Sequence, residues 1–168
     1  MAARDVLKNI NLFFNGVGFA GNVEDYTPPE HVLKVEEFQA GGMYSPIELT
    51  MGMEKMETSG SIVAYDQGVL TSFTPVEGQN VQWTVRGHLE SFDGTTSAVQ
   101  HAMRGKLKKI SRGTWEAGKK PSLKFDMAVS YFKETRDGTT ILEIDVENMI
   151  FNVNGVDMLA AMKSNLGM

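Results

Sequence analysis

Three carboxylates at a spacing of two residues near the C-terminal end are the side chains best placed for chemistry. Glu143, Asp145 and Glu147 alternate with other residues, so a β-strand would bring all three to one face. Such a row could ligate a cation or supply the paired carboxylates of a glycosidase. The same row is also typical of a solvated strand face. A monomeric β-sandwich that binds or cleaves carbohydrate is therefore one alternative, provided that the row lines a pocket with a second acid.

The other reactive residues match no pattern of a known site. His31, His88 and His101 fall on different predicted strands without the spacing of metal ligands, and the chain has no cysteine. The segment 16–21 matches G-x-G-x-x-G, but Pro28-Pro29 would end the helix that a dinucleotide site requires. Serine-hydrolase, zinc-protease, P-loop and EF-hand motifs do not occur. We therefore predict no enzymatic activity, no cofactor and no metal.

The composition is that of an acidic globular chain. Its 168 residues carry a formal net charge of −5 and include 42% hydrophobic residues, which favours one domain over residues 1–168. The negative balance argues against tight binding to nucleic-acid phosphates, and the basic residues from Arg104 to Arg112 lack interleaved aromatics for base stacking. No apolar run approaches the length of about 20 residues that spans a bilayer, so we expect no membrane partner.

Alternating apolar residues and turn dipeptides predict a mainly β chain. Strands are expected at 9–14, 17–23, 30–38, 46–62, 79–92, 97–110, 123–135 and 139–153. Asn15-Gly16, Asp93-Gly94 and Asp137-Gly138 are dipeptides typical of tight hairpin turns. In the strand 123–135, every second residue is apolar from Leu123 to Tyr131, which predicts one buried face.

Two helices and a β-bulge complete the prediction. A short helix is expected at 64–73 with Asp66 as its N-cap, and a C-terminal helix at 156–166 that ends at Gly167. The apolar parity of the strand 139–153 changes along its length, which predicts a bulge near Glu147-Asn148.

The segment 38–57 is rich in methionine and poor in charge. Met43, Met51, Met53 and Met56 are four of the 11 methionines, and Glu48 is the one charged residue between Phe38 and Met53. Methionine adapts to irregular partner surfaces, and exposed apolar segments usually mark interaction sites. We therefore predict that another chain covers this segment. A monomeric ligand-binding barrel, in which the loop is ordered without a partner, is the alternative.

The predicted strands are long for one small core. Twelve or more residues at about 3.3 Å each span roughly 40 Å, whereas ordinary strands have five or six residues. Long hairpins also leave unpaired edges, which invite pairing with other chains. The sheet is therefore expected either to close on itself or to pair with neighbours.

Four collinear segments resemble the major tail tube protein of contractile-tailed phages, the family that also forms the tube of R-type pyocins. They are NLFFNGVGFAG (11–21), EEFQAGGMYSPIELTMGMEKME (36–57), MRGKLKKISRGTWEAGKKPSLKFDMAVSYFKETRDGTTILEIDVENMIFNVNGVD (103–157) and LAAMKSNLG (159–167). The match lies in the order and number of segments and covers most of the chain, except residues 64–92. A type VI secretion tube protein, which shares the fold and the ring, is a near alternative.

The resemblance implies both an architecture and a set of partners. It implies a two-sheet β-sandwich or β-barrel protomer with long hairpins, a short flanking helix and a C-terminal helix. Six copies would form a homohexameric ring with a continuous inner β-barrel, and stacked rings would form a hollow tube. DNA would pass through the lumen at ejection without specific binding. The implied partners are other copies of the chain, the sheath protein, the baseplate and the tail terminator. The implied location is the virion tail, after assembly in the host cytoplasm.

Residue roles follow from this resemblance and from strand parity. The residues expected in an extended inter-subunit loop at 37–57 are Gln39, Gly41, Gly42, Met43, Tyr44, Pro46, Met51, Met53 and Met56. The inner barrel is expected to use strands at 31–38, 48–58, 97–110 and 123–135. The residues expected to face the lumen are Glu54, Gln100, Arg104, Lys106, Lys124, Asp126 and Ser130. The net charge of −5 favours an acidic lumen wall, which would repel DNA phosphates. Arg104 and Lys106 do not suit such a wall, so the wall is expected to be mixed or the parity to differ there.

Overall fold

A computed structural model describes residues 3–168 and shows that the protein is mainly β. The strands are β1 (Val6–Phe14), β2 (Val17–Gly18), β3 (Val23–Thr27), β4 (Leu33–Phe38), β5 (Ile47–Met53), β6 (Met56–Ile62), β7 (Val81–Glu90), β8 (Thr96–Ser111), β9 (Leu123–Arg136), β10 (Thr139–Asp145), β11 (Ile150–Val153) and β12 (Val156–Asp157). The helices are α1 (Gln67–Thr71) and α2 (Ala160–Leu166). The prediction of a mainly β chain with two sheets and short helices is confirmed.

Two long strands, β8 and β9, form the centre of the larger sheet. Its path runs β12-β11-β10-β9-β8-β7-β1-β2, and β6 also pairs with β9 and carries β3 on its other edge. Because β9 has 14 residues, its first half pairs with β6 and its second half with β10. The sheet therefore branches at β9. The hairpin dipeptides Asn15-Gly16 and Asp137-Gly138 have the positive φ angles that two-residue turns require.

One hydrophobic core lies on the inward face of this curved sheet. Trp83 of β7 stacks on Phe125 of β9 with ring centroids 4.3 Å apart, and Phe14 of β1 lies 4.7 Å from Trp83. α1 closes the core from one side by burying Val69 completely. Asp66 caps this helix as predicted, because its carboxylate accepts a hydrogen bond from the Val69 amide.

A β-bulge in β9 changes which residues face the core. Inward side chains alternate from Leu123 to Val129, but the next buried side chain is Phe132, and Tyr131 is only half-buried. The pairing with β8 explains this, since Val129 lies opposite Gly105 and Tyr131 opposite Arg104, which leaves Ser130 unpaired. The prediction that Tyr131 continues the apolar face is therefore wrong.

The predicted bulge near Glu147-Asn148 is also wrong, because a turn occupies that position. β10 ends at Asp145, the chain reverses over 146–149, and β11 pairs back antiparallel, with Ile144 opposite Phe151. Met149 adopts a positive φ of 53° in the turn. Two antiparallel strands, rather than one bulged strand, therefore account for the change of parity.

Other predicted elements are shorter than expected or divided. The predicted strand 46–62 is split into β5 and β6, which belong to different sheets, and 17–23 contains only β2 and the first residue of β3. The helix predicted at 64–73 is five residues long. β12 precedes α2 in the segment 156–166, and Gly167 ends α2 in the left-handed conformation, as predicted.

The smaller sheet stands apart from the rest. β4 and β5 pair with each other and, within residues 3–168, with no other strand. We call residues 33–53 the arm, and the remainder of the described chain the body.

Candidate assembly surfaces

The arm exposes an unusual number of large apolar side chains for so short a segment. All six residues of β4 and six of the seven residues of β5 are exposed. The exposed apolar side chains of the arm are Leu33, Val35, Phe38, Tyr44, Ile47, Leu49 and Met51. A two-stranded sheet of this kind is at best marginally stable in water, and an exposed apolar patch usually marks an interaction site. The arm is therefore the prime candidate for contact with another chain.

The tip of the arm is ordered by its own hydrogen bonds. The Met43 amide donates to the Ala40 carbonyl oxygen at 3.1 Å, and the Gln39 side-chain amide donates to the Met43 carbonyl oxygen at 3.3 Å. Gly42 has a φ of 92°, a conformation that favours glycine in this turn. Tyr44 beside this turn is fully exposed, at 103% of its reference area.

The predicted loop residues divide between the arm and the body. The residues that lie on the arm and are exposed are Gln39, Gly41, Gly42, Tyr44, Pro46 and Met51, and Met43 there is half-buried. Met53 at the base of the arm packs partly against the core. Met56 belongs to the core itself, with 2% of its surface exposed, and is therefore not a residue of the exposed loop.

An aromatic and imidazole cluster lies where the arm joins the body. His31 packs on Phe132 of β9 with ring centroids 4.9 Å apart, and the ring of His101 on β8 lies 5.4 Å from the same phenyl ring. The Tyr26 hydroxyl is 3.0 Å from Nδ1 of His101, and Glu134 lies 3.9 Å from its Nε2. Burial lowers the pKa of His101 below its usual 6.5, with Glu134 opposing the shift.

The stability of the body is therefore expected to depend on the protonation of His101. A lowered pKa in the folded state means that folding favours the neutral ring, so this contribution is complete above pH 6.5 and is lost as the pH falls through the folded pKa. We expect His101→Gln to reduce the fall in unfolding free energy between about pH 7.5 and 5.5. Urea titrations at each pH measure this, with exposed His88→Gln as the control. Equal pH dependence in wild type and His101→Gln would contradict the prediction.

Five of the seven predicted lumen residues lie on one face, which points away from the core. They are Gln100, Arg104 and Lys106 of β8 and Lys124 and Asp126 of β9, because the buried residues of these strands occupy the alternate positions. We call this surface of β7, β8, β9 and β6 the polar face. The Ser130 hydroxyl donates to the Arg104 carbonyl oxygen at 3.3 Å at the bulge. Glu54 lies outside this face, in the link between β5 and β6.

Most cations of the polar face are paired with carboxylates. Lys106 contacts Glu77 at 2.6 Å, Lys108 contacts Glu57 at 2.5 Å, Lys109 lies 4.0 Å from Asp126, and Arg104 lies 3.8 Å from Asp145. Lys108 and Lys55 hold the pKa of the Glu57 carboxyl at about 2. The polar face therefore carries charges of both signs. Cations make up a larger share of its charged residues than the net charge of −5 for the whole chain suggests.

The carboxylate row of β10 is used for internal hydrogen bonds. Asp145 accepts bonds from both the backbone and the side-chain amide of Asn148, at 3.0 and 2.8 Å, and so fixes the 146–149 turn. Glu143 accepts from the Tyr131 hydroxyl at 2.8 Å. Glu147 belongs to the turn and not to a strand, so the predicted row of three does not form. Among residues 3–168, no group of three or more candidate ligands is placed to hold a metal ion.

Trp115 lies on the surface and does not cover the core. It is 76% exposed in the loop between β8 and β9, and its ring lies 6.0 Å from that of Tyr65. The exposed indole is available for contact with another molecule. Over the described part of the chain, no helix is long and apolar enough to cross a membrane.

Comparisons with known proteins identify relatives over the whole length of the chain. The profile of the family described as phage tail tube protein FII matches residues 4–167. The tail tube protein of Escherichia phage P2 is 31% identical over 172 residues, which cover 100% of both chains. The major tail tube protein of Serratia phage KSP20 is 26% identical over 160 residues, 94% of this chain and 92% of that one.

One solved structure resembles the chain more loosely. It is the cryo-EM structure of the anti-feeding prophage baseplate, symmetrised sixfold, which contains a chain with 11% identity and a TM-score of 0.45. The overlap covers 75% of this chain and 90% of that chain. Membership of a family accordingly rests on the sequence matches. The chain belongs to the phage tail tube protein FII family, and it is a non-enzymatic structural subunit of the tube of a contractile phage tail.

Proposed function

We propose that the subunit polymerises as stacked homohexameric rings into a hollow tube through which DNA passes at ejection. The observation that carries this proposal is the arm, a two-stranded sheet that exposes seven large apolar side chains. Residues 1–168 would act as one tail tube domain, with 37–57 as the extended inter-subunit segment. Covering these side chains with a neighbouring copy would supply hydrophobic free energy for assembly.

The body would provide the inner barrel of the ring, as a β-sandwich or β-barrel whose strands join those of its neighbours. The strands at 97–110 and 123–135 are the longest of the sheet and carry the polar face. The strands at 31–38 and 48–58 would complete the inner barrel through the arm. A ring closes the sheet on itself, which removes the exposed edges that a solitary sheet presents.

The polar face would form the wall of the lumen. Its lumen residues would be Gln100, Arg104, Lys106, Lys124, Asp126 and Ser130, with Glu54 near the base of the arm. The paired charges on this face suit DNA that slides without binding, because a lysine that already faces a carboxylate gains less from a phosphate. The lumen wall would thus carry paired charges of both signs rather than a uniformly negative charge.

Removing carboxylates from the polar face is expected to create DNA affinity. The double substitution Glu57→Gln with Asp126→Asn leaves Lys108 and Lys109 without their partners. We expect the unassembled subunit then to retain DNA on a filter several-fold more strongly at about 50 mM salt, and to lose that gain by about 200 mM. Glu90→Gln with Glu147→Gln makes the same change in net charge elsewhere and is the control. Equal gains in both variants would show that only net charge matters.

The partners beyond other copies of the chain would be the remaining parts of the tail. A sheath protein would surround the tube, with a baseplate at one end and a tail terminator at the other. Assembly would take place in the host cytoplasm before the tube becomes part of the virion.

Electron microscopy of the purified chain at high concentration tests the proposed architecture. Hollow tubes or rings whose end-on averages have sixfold symmetry are expected. Rings with another number of subunits would refute the hexamer, and solid fibres would refute the conduit. Sedimentation of the same sample shows whether the observed particles account for most of the protein.

A further inference from the structure

A cleft of aromatic and basic residues lies on the body, outside the arm and the polar face. It encloses about 410 Å³ and is lined by Tyr65, Trp115, Glu116, Ala117, Lys119 and Lys120, among others. Trp115 is 76% exposed, and the Tyr65 hydroxyl donates to the Arg112 carbonyl oxygen at 2.6 Å. Tyr65 is therefore held in place, while the indole of Trp115 presents most of its surface to solvent.

The cleft and the arm lie at opposite ends of the body. The arm joins the body between Thr27 of β3 and Met56, the first residue of β6. The cleft lies beyond Ile62, the last residue of β6, and beside Leu123, which pairs with Ile62. Because β6 has seven residues, its two ends are separated by about 20 Å. Within one chain, the arm therefore leaves the body at the Met56 end of β6, and the cleft lies at the Ile62 end.

The two ends also carry opposite charge. Residues 30–54 contain five glutamates and one lysine, whereas residues 112–124 contain four cations and one glutamate. The cation of Lys120 and that of Lys119 are both exposed beside the cleft, where their pairs with Glu24 and Glu116 are open to solvent. Even with Glu24 counted beside Glu116, the four cations outnumber the carboxylates by two, and this surplus attracts the glutamates of the arm.

We propose that this cleft is the receptor for the tip of the arm of a second copy of this chain. The inference rests on the proposed function and adds to it the surface that receives the arm. Tyr44 at the tip is fully exposed, with Met43 directly before it and Pro46 two residues after it, a set of side chains suited to packing between Tyr65 and Trp115. Glu36, Glu37 and Glu48 of the arm would approach the basic end of the body.

Such a contact is heterologous. Each copy would give its arm to one neighbour and receive an arm from another, so the two surfaces in contact are different parts of the molecule. Contacts of this heterologous kind form closed rings or continuing polymers, in contrast to a twofold dimer that uses the same surface twice. The cleft and arm thus suit a protein that builds a long assembly from one chain.

The absence of cysteine from the chain permits a direct cross-linking test. Tyr44→Cys at the arm tip and Ala117→Cys in the cleft are made singly and together. Under mild oxidation at concentrations at which tubes form, the mixed single variants should give a disulfide heterodimer. The double variant should give a ladder of covalent oligomers. Tyr44→Cys mixed with Val146→Cys, an exposed position on the 146–149 turn, is the control, and its heterodimer should be about tenfold less abundant, the ratio that corresponds to about 1.4 kcal/mol.

Substitution of the tryptophan provides a second readout. We expect Trp115→Ala to raise the critical concentration for tube formation about tenfold or more, because truncating an aromatic anchor usually costs the most at an interface. Trp115→Phe should restore most of the assembly. Circular dichroism should be unchanged in both variants, because Trp115 is exposed in the single subunit.

The outcomes separate this inference from the proposed function. Suppose that tubes form, that positions 44 and 117 do not cross-link, and that Trp115→Ala assembles like wild type. The cleft is then not the receptor, although the proposed tube is correct. If the wild-type chain forms no tubes or rings, even with tube fragments as seeds, the proposed function itself fails. A cross-link confined to the control pair would overturn the assignment of the cleft.

Discussion

Tubes are expected to disappear when Ile47 and Met51 of the arm are both replaced by aspartate, whereas the subunit is expected to stay folded. Both side chains are about half exposed, at 48% and 57%. In the assembly they would be covered, and each uncompensated buried carboxylate costs several kcal/mol. The critical concentration for assembly should therefore rise by about a hundredfold or more. Electron microscopy and sedimentation across a concentration series measure the change.

Folding of the arm variant must be checked in the same preparation. Substitution of exposed residues usually changes unfolding free energy by about 0.5 kcal/mol or less, so the urea midpoint and the β circular dichroism should match wild type. Val146→Asp with Val156→Asp replaces two exposed valines of the body and is the matched control. If the arm variant formed tubes at the wild-type concentration, the arm would not be part of the interface.

Gly105→Ala is expected to destabilise the body severely. A Cβ at this position would lie 1.9 Å from the carbonyl oxygen of Ala128 on β9, and backbone atoms cannot move aside as a side-chain tip can. The cause is the bulge at Ser130, next to which β8 and β9 approach each other closely. We expect a loss of about 2–4 kcal/mol in the free energy of unfolding, the range of severe overpacking.

Urea unfolding of the unassembled subunit measures this loss by linear extrapolation. Gly41→Ala is the matched control, because a Cβ at Gly41 in the arm meets nothing within 4 Å. The control should unfold at the wild-type midpoint. If the two variants unfold at the same urea concentration, the close approach of β8 and β9 is not a constraint on the fold. A Gly105→Ala chain that fails to fold at all agrees with the prediction.

Local turn chemistry and strand alternation were the parts of the fold that the sequence predicted well. Asn15-Gly16 and Asp137-Gly138 form hairpin turns because two consecutive positive φ angles suit few other residue pairs. The polar face followed from alternation in 97–110 and 123–129, where each buried residue is flanked by outward ones.

The sequence predicted an interruption near Glu147-Asn148 but not its form, and it predicted no interruption at Ser130. The turn at 146–149, with the sequence VENM, contains no glycine or proline, and it is stabilised by Asp145 bonds that only the folded chain shows. Likewise Ser130 resembles any outward residue of a strand until its pairing with β8 is known. Propensity carries little information about such long-range register.

The arm was predictable as a surface but not as a separate sheet. Alternation runs on through Leu49, Met51 and Met53, so nothing in that pattern separates β5 from β6. Gly52, with a φ of 131°, was the available signal, because glycine inside a strand often marks a bulge. The residue type of Met56 predicts a place in the loop, whereas its position on β6 puts it in the core.

Seeded growth of tubes tests most directly the central claim that the arm joins subunits into a tube. Short tube fragments from sheared particles are mixed with purified wild-type subunit or with the Ile47→Asp, Met51→Asp variant, and tube lengths are measured by electron microscopy. The account predicts that the fragments lengthen with wild-type subunit and keep their length with the variant. Fragments that do not lengthen with wild-type subunit, or that lengthen equally with wild type and variant, would contradict the claim.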